Sequence, residues 1–174
     1  MLNDFNLLAT TFRGAERDAC AELQYLLGQA GDASPKVTRT FVAGLVTART
    51  SLDPLGAIGK LREFLQERPY EFRFMLRLIP IETVVRTNLN EIRSVTAEYD
   101  SKIQENEKFR VTVEKRFAEL SSQEIVKGVA ADIKKKVDLD NPDKIVLVEI
   151  VGELTGISLV TPNDVMCIAK EKLL

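Results

Sequence analysis

The 174-residue chain contains no histidine and no tryptophan, and it has only two cysteines. The missing histidine excludes imidazole acid–base catalysis, Ser-His and Cys-His nucleophile pairs, and histidine metal sites. Cys20 and Cys167 stand in apolar stretches. Two thiols alone do not build a zinc site, and they read as small buried hydrophobes of a reducing compartment. No apolar run reaches the length of a membrane span. The start, MLNDFNLLATTFRG, lacks the basic residues and small-residue cleavage site of a signal peptide. A cytoplasmic location with no membrane partner is therefore expected. Charge of one sign is also lacking. The 24 Lys+Arg residues are balanced by 26 Asp+Glu, a net charge of −2, which argues against indiscriminate coating of nucleic acid, DNA included.

What is present is a well-mixed globular composition, 45% hydrophobic and 29% charged, sufficient for a packed core. The first half reads element by element. NLLATTF (6–12) is a short strand, and residues 14–32 form a helix with Cys20, Leu23, Leu26 and Leu27 on one stripe. Residues 36–50 are two strands meeting near Gly44. Asp53-Pro54 opens a helix, and YEFRFMLRLIPIETVV (70–85) is a long strand. The order β-α-β-β-α-β is the ferredoxin-like arrangement. In the second half, Thr87 or Asn88 opens a helix running to about Lys102. A strand over 108–114 alternates Phe109, Val111 and Val113 with polar residues. A helix over 122–137 has Ile125, Val126, Val129, Ala130, Ile133 and Val137 inward. The apolar strand 144–153, a partner strand 155–160 and a short terminal helix complete the chain.

Several local features have plain readings. GAIGK (56–60) has its glycines three apart and Leu61 after the lysine, which does not fit a phosphate-binding loop; small residues packing a helix on a sheet account for it. Glu149, inside an apolar strand, is a candidate buried acid, with an exposed position or a lysine pair as the plainer reading. Lys134, Lys135 and Lys136 suit a helix C-terminus.

The stretches FRVTVEKRFAELSSQEI, VDLDNPDKIVLVEIVGELTGISLV and FMLRLIPIETVVRTNLNEI, in their order along the chain, resemble the THUMP domain and its join to a preceding domain. Together with TTFRGAERDACAELQYLL they resemble the archaeal and eukaryotic THUMP proteins that assist tRNA cytidine acetylation. The resemblance implies an α+β protein with a ferredoxin-like domain over residues 1–86 and an α/β THUMP domain over 87–174. It implies binding to the acceptor end of tRNA. Because the sequence stops at Leu174, it further implies a stand-alone, non-catalytic adaptor without cofactor or metal. The partners it implies are tRNA and an RNA cytidine acetyltransferase that makes N4-acetylcytidine. The competing expectation is a protein-interaction module whose RNA contact comes mainly from a partner enzyme.

Two groups of side chains suit RNA. Lys115, Arg116 and Phe117 stand at a strand-to-helix turn, beside the hydroxyls of Ser121 and Ser122 at a helix N-terminus. That is a candidate phosphate or ribose grip with a stacking ring. Ser121 and Glu124 also have the spacing of a capping box. On the first half, strand alternation is expected to put Arg73, Met75 and Arg77 on the open sheet face, opposite Phe72, Phe74, Leu76 and Leu78. Arg39 and Arg49 would join that face if the hairpin register allows. Arg86 lies near the join.

Overall fold

Alternating apolar residues become two five-stranded sheets. The computed structural model describes residues 4–172, in two units: the residues up to 81 together with those from 164 onward, and residues 82–163.

The first unit begins β1 (Leu7–Thr11), α1 (Glu16–Gln29), β2 (Lys36–Arg39), β3 (Leu45–Arg49), α2 (Pro54–Glu67) and β4 (Met75–Pro80). Helix α1 buries Ala19, Leu23, Leu26 and Leu27, and α2 buries Ala57, Ile58, Leu61 and Leu65. These spacings of three and four put each apolar set on one stripe. The stripes pack on Leu7, Ala9, Val46, Ala48 and Leu78 of the sheet, each full-size side chain contributing roughly 1.5–3 kcal/mol by burial. Pro54 starts α2, and the Asp53 carboxylate accepts the Gly56 N–H at 2.9 Å. GAIGK lies inside this helix.

The expected strand 70–85 is interrupted. Pro69–Glu71 forms a 3-10 turn, β4 covers only Met75–Pro80, and β5 (Thr83–Arg86) belongs to the other sheet. A bulge also shifts the register of β4: Thr10 faces Arg77 while Thr11 faces Met75. The extra residue reverses the alternation. Met75 therefore enters the core with Leu78 rather than sharing a face with Arg77.

The second unit runs β5, α3 (Leu89–Thr96), β6 (Lys108–Arg116), α4 (Ser122–Ala131), β7 (Lys136–Val137), β8 (Lys144–Val151) and β9 (Leu154–Val160). The strand order is β5-β9-β8-β6-β7, with β8 parallel to β6 and antiparallel to β9. Phe109, Val146, Val148 and Ile150 face Ile92, Ile125 and Val129 of α3 and α4 in one core. The helices approach closely at Gly128, where a Cβ would meet Leu89 and Arg93 side-chain atoms at 3.2 Å. Helix α4 is shorter than its apolar period suggests. It ends at Ala131, the Lys134 N–H is taken by Asp100 at 2.7 Å, and Val137 is 49% exposed on the edge strand instead of inward.

The chain then returns to the first unit. β10 (Met166–Cys167) pairs with β4, and α5 (Ile168–Glu171) follows, so the first sheet has the order β10-β4-β1-β3-β2. The division thus falls at 81/82 rather than 86/87, and the terminal segment packs with Leu78 through Met166 and Ile168. The expected terminal helix is reduced to four residues, and positions 173 and 174 lie outside the described residues. No helix among the described residues is long and apolar enough to cross a membrane.

Candidate nucleic-acid interface

The strand β6 runs through Arg116, two residues beyond the expected end. Lys115 and Arg116 therefore still alternate. Lys115 follows Phe109, Val111 and Val113 on the helix-packed face and is exposed. Arg116 points to the other face, where its Nη1 donates to Glu149 Oε2 at 2.9 Å. Both side chains are sequestered, at 16% and 3% exposure. Arg116 is thus committed to neutralising a buried carboxylate, which corrects the expectation of two cations side by side at the turn. Glu149 is buried, as one of its two readings had it, but its partner is an arginine. Arg86 lies on the same face: it faces Leu154, which faces Val151, which faces Arg116. Three strand spacings, roughly 14 Å, separate the two backbones.

Phe117 follows with φ of 55° and its side chain 74% exposed. A non-glycine residue in the left-handed region costs about 1–2 kcal/mol. Ser121 caps α4, its Oγ accepting the Glu124 N–H at 3.4 Å, and Ser122 is the first helical residue. The groove between this turn and the β8–β9 turn contains Phe117 and Ser121, but also Glu119, Glu124 and Glu153. Its walls are acidic.

On the first sheet the register separates the candidate arginines. Arg39 faces Val46, which faces Ala9, so Arg39 is on the helix side. Arg49 faces Lys36 on the opposite side, with Thr38, Thr47, Thr10 and Arg77. Arg39 and Arg49 therefore do not share a face. Arg39 instead stands near Glu16 and Cys20 of α1. Burial raises the Cys20 thiol, and the Arg39 charge opposes that rise. Arg49 lies 3.5 Å from Asp4, both more than half exposed, a pairing of little energetic weight. Arg73 precedes β4, its backbone N–H donating to Glu22 at 2.6 Å and its side chain exposed.

A grouping that sequence reasoning missed lies at one end of this sheet. There β1 ends, β3 and β4 begin, and the β2–β3 hairpin turns. The Thr11 N–H donates to Gly44 O at 2.9 Å, Thr11 Oγ1 to Phe74 O at 2.7 Å, and the Gly44 N–H to Glu16 Oε1 at 2.8 Å. Gly44 is required: its φ is +77°, and a Cβ would lie 2.9 Å from Thr11 O. The loops so tied carry Phe12 and Phe41, 57% and 60% exposed, and the exposed Arg13 and Arg73; exposed Arg17 lies at the start of α1 and exposed Arg39 at the end of β2, while exposed Arg77, inside β4, is on the opposite face of the sheet. The nearby carboxylates are Glu16, Asp18 and Glu22. Glu22 accepts the N–H groups of Arg73, Phe74 and Met75. The Gly44 N–H is the largest influence holding Glu16 below its ordinary value, with Arg39 a smaller one. Among the described residues, none of these five arginines pairs with a carboxylate within 4.0 Å. The signal was present in TTFRG and RTFVAG, each with a phenylalanine within two residues of an arginine in a stretch that ends on glycine. No group of three or more His, Cys, Asp or Glu side chains among the described residues is placed to hold a metal ion.

Residues 86–160 match the THUMP domain model. Along most of its length the chain is similar to PH1313 from Pyrococcus horikoshii Ot3, with 19% identity, TM-score 0.65, and coverage of 89% of this chain and 54% of that one. It is similar to TrmN from Thermus thermophilus, with 20% identity, TM-score 0.56, and coverage of 88% and 44%. It is also similar to a 4-thiouridine synthetase crystallised with RNA and ATP, with 16% identity, TM-score 0.54, and coverage of 91% and 42%. The chain spans about half the length of these structures, and identities at this level show a common fold. No curated protein matches the chain. The second unit of this protein carries a THUMP domain.

Proposed function

We propose that the chain is a tRNA-binding module acting in tRNA modification. More specifically, we propose a non-catalytic adaptor that presents the acceptor end of tRNA to an RNA cytidine acetyltransferase for N4-acetylcytidine formation, in the cytoplasm. The observation carrying this reading is the THUMP match over residues 86–160. It is supported by likeness to a synthetase crystallised with RNA and by the arginine-rich end of the first sheet. The first unit's strand order β4-β1-β3-β2 with two helices on one face supports a ferredoxin-like arrangement. The total lack of histidine excludes imidazole chemistry within this chain. The RNA is held through phosphate contacts, so binding weakens steeply with salt and discriminates little between sequences.

The test is a titration of labelled tRNA transcript and an acceptor-stem mimic at low and moderate salt. Binding at low salt that falls with added salt is expected; no binding at low salt overturns the reading. A second reading is favoured by the neutralised Arg116 and the net charge of −2: a protein-interaction module whose partner supplies the RNA contact. Capture of an acetyltransferase that survives RNase, by a chain that does not bind tRNA alone, would select it.

A further inference from the structure

We propose that the Phe12–Phe41 end of the first sheet is a subsite for unpaired RNA nucleotides. The two phenyl rings stack on bases while Arg13, Arg17 and Arg39 hold the adjoining phosphates. The proposal rests on the RNA reading above and adds to it which part of an RNA is taken and where.

Three observations carry it. First, both rings are more than half exposed although they sit on fixed loops. The Thr11–Gly44 and Gly44–Glu16 hydrogen bonds hold the β1–α1 turn against the β2–β3 hairpin. Rings presented in this way from pinned backbone form a preorganised platform. Second, the charge around them is complementary to a polyanion. Four exposed arginines, Arg13, Arg17, Arg39 and Arg73, stand with three carboxylates, two of which accept backbone N–H groups rather than pairing with the arginines. Third, grooves run on both sides of the hairpin, and both include Arg39 and Phe41. One of them continues past Lys36 to Arg49, which stands there beside Asp4.

An aromatic face beside guanidinium groups fits single-stranded nucleic acid, whose bases are free to unstack onto the rings. In a duplex the base faces are already covered, so a duplex has only phosphates to offer here. The occupant is therefore a short unpaired segment of RNA.

The chain has no tryptophan, so Phe41→Trp introduces a single reporter at the site. In the full chain, an unpaired octanucleotide should quench its emission saturably, and a blunt RNA duplex of equal length should not. Independently, Phe12→Ala with Phe41→Ala should weaken octanucleotide binding, followed by anisotropy of labelled RNA, by about tenfold or more. The thermal midpoint should stay unchanged, and duplex affinity should fall less than twofold. Wild-type protein that binds tRNA, together with Phe41→Trp emission that the octanucleotide leaves unchanged and a double alanine variant that binds the octanucleotide as well as wild type, overturns the subsite and leaves the RNA reading standing. Equal loss for octanucleotide and duplex also overturns it, since stacking would not be the cause. Absence of binding to any RNA removes both. Loss of RNase-resistant capture of an acetyltransferase with RNA affinity intact would make the patch a protein interface instead.

Discussion

Each unit leaves its sheet through a turn that raises a phenylalanine next to an arginine: Phe12-Arg13 after β1, and Arg116-Phe117 after β6. As sequence they look interchangeable, and the second, with an extra lysine and a serine cap, looks richer. In three dimensions they diverge. Arg13 is exposed and joined by Arg17, Arg39 and Arg73, whereas Arg116 turns under the sheet to Glu149 and Phe117 shares its groove with Glu119, Glu124 and Glu153. A cation beside an aromatic contributes to a polyanion site only when the fold has not already assigned it a counter-charge. The alternation of a strand decides that assignment, because it sends neighbours to opposite faces.

The largest effect that sharpens this contrast is on stability. Arg116→Ala leaves Glu149 buried without the guanidinium it pairs with, and breaking such a pair costs about 3–5 kcal/mol. Arg13→Ala, at an exposed position, should stay within about 0.5 kcal/mol. Urea unfolding of the two variants makes the comparison. Arg116→Ala combined with Glu149→Leu should recover much of the loss, because no carboxylate then remains buried there. If Arg116→Ala unfolds like wild type but binds RNA more weakly, the turn after β6 is a binding site after all and the contrast collapses.

A smaller effect separates the two backbones. The first turn is pinned by the β2–β3 hairpin through Gly44 at positive φ, while the second forces Phe117 into the left-handed region. Gly44→Ala puts a Cβ against Thr11 O and should cost about 1–3 kcal/mol. It also displaces the hairpin that holds Phe41. Octanucleotide affinity should fall with it, measured at a temperature where the variant is fully folded. A stable Gly44→Ala with unchanged affinity would mean that the pinned hairpin is irrelevant to the ligand.

How much of this was legible in the sequence depended on run length and on local closure. Strands 108–116, 144–151 and 154–160 carry long alternating or apolar runs and were read within a few residues, and the amphipathic stripes of α1 and α2 were read directly. The run 70–85 reads as one strand because its apolar residues continue past Ile81-Glu82, where the chain changes sheet. Its faces were misread because a bulge reverses the alternation between Arg77 and Met75. The placing of Arg39 and Arg49 turned on hairpin register. Arg39 faces Val46, and residues three apart along β3 lie on opposite faces; a register one residue different would have put the two arginines together. The Arg116–Glu149 pair joins parallel strands 33 residues apart in sequence, a contact no local pattern announces. The Phe12–Phe41 patch is hidden for the same reason, since the long-range Thr11–Gly44 and Gly44–Glu16 hydrogen bonds bring the two turns together.

The smallest effect tests the helices that follow the two turns. Helix α4 is capped by Ser121, whose extended backbone lets its Oγ reach the Glu124 N–H; α1 starts after Ala15, with φ of −99° and ψ of 12° and no side-chain cap. Ser121→Ala should cost about 0.5–1 kcal/mol, near the low end for a cap because the hydrogen bond is 3.4 Å long. Ala15→Ser should gain less than about 0.5 kcal/mol, because a serine cap needs the extended backbone that residue 15 does not have. Thermal midpoints of the two variants, read against wild type, give both numbers. If Ser121→Ala instead leaves stability alone and weakens tRNA binding, its hydroxyl contacts the RNA. The acidic groove after β6 would then have to be counted as part of the interface, on equal terms with the arginine-rich end of the first sheet.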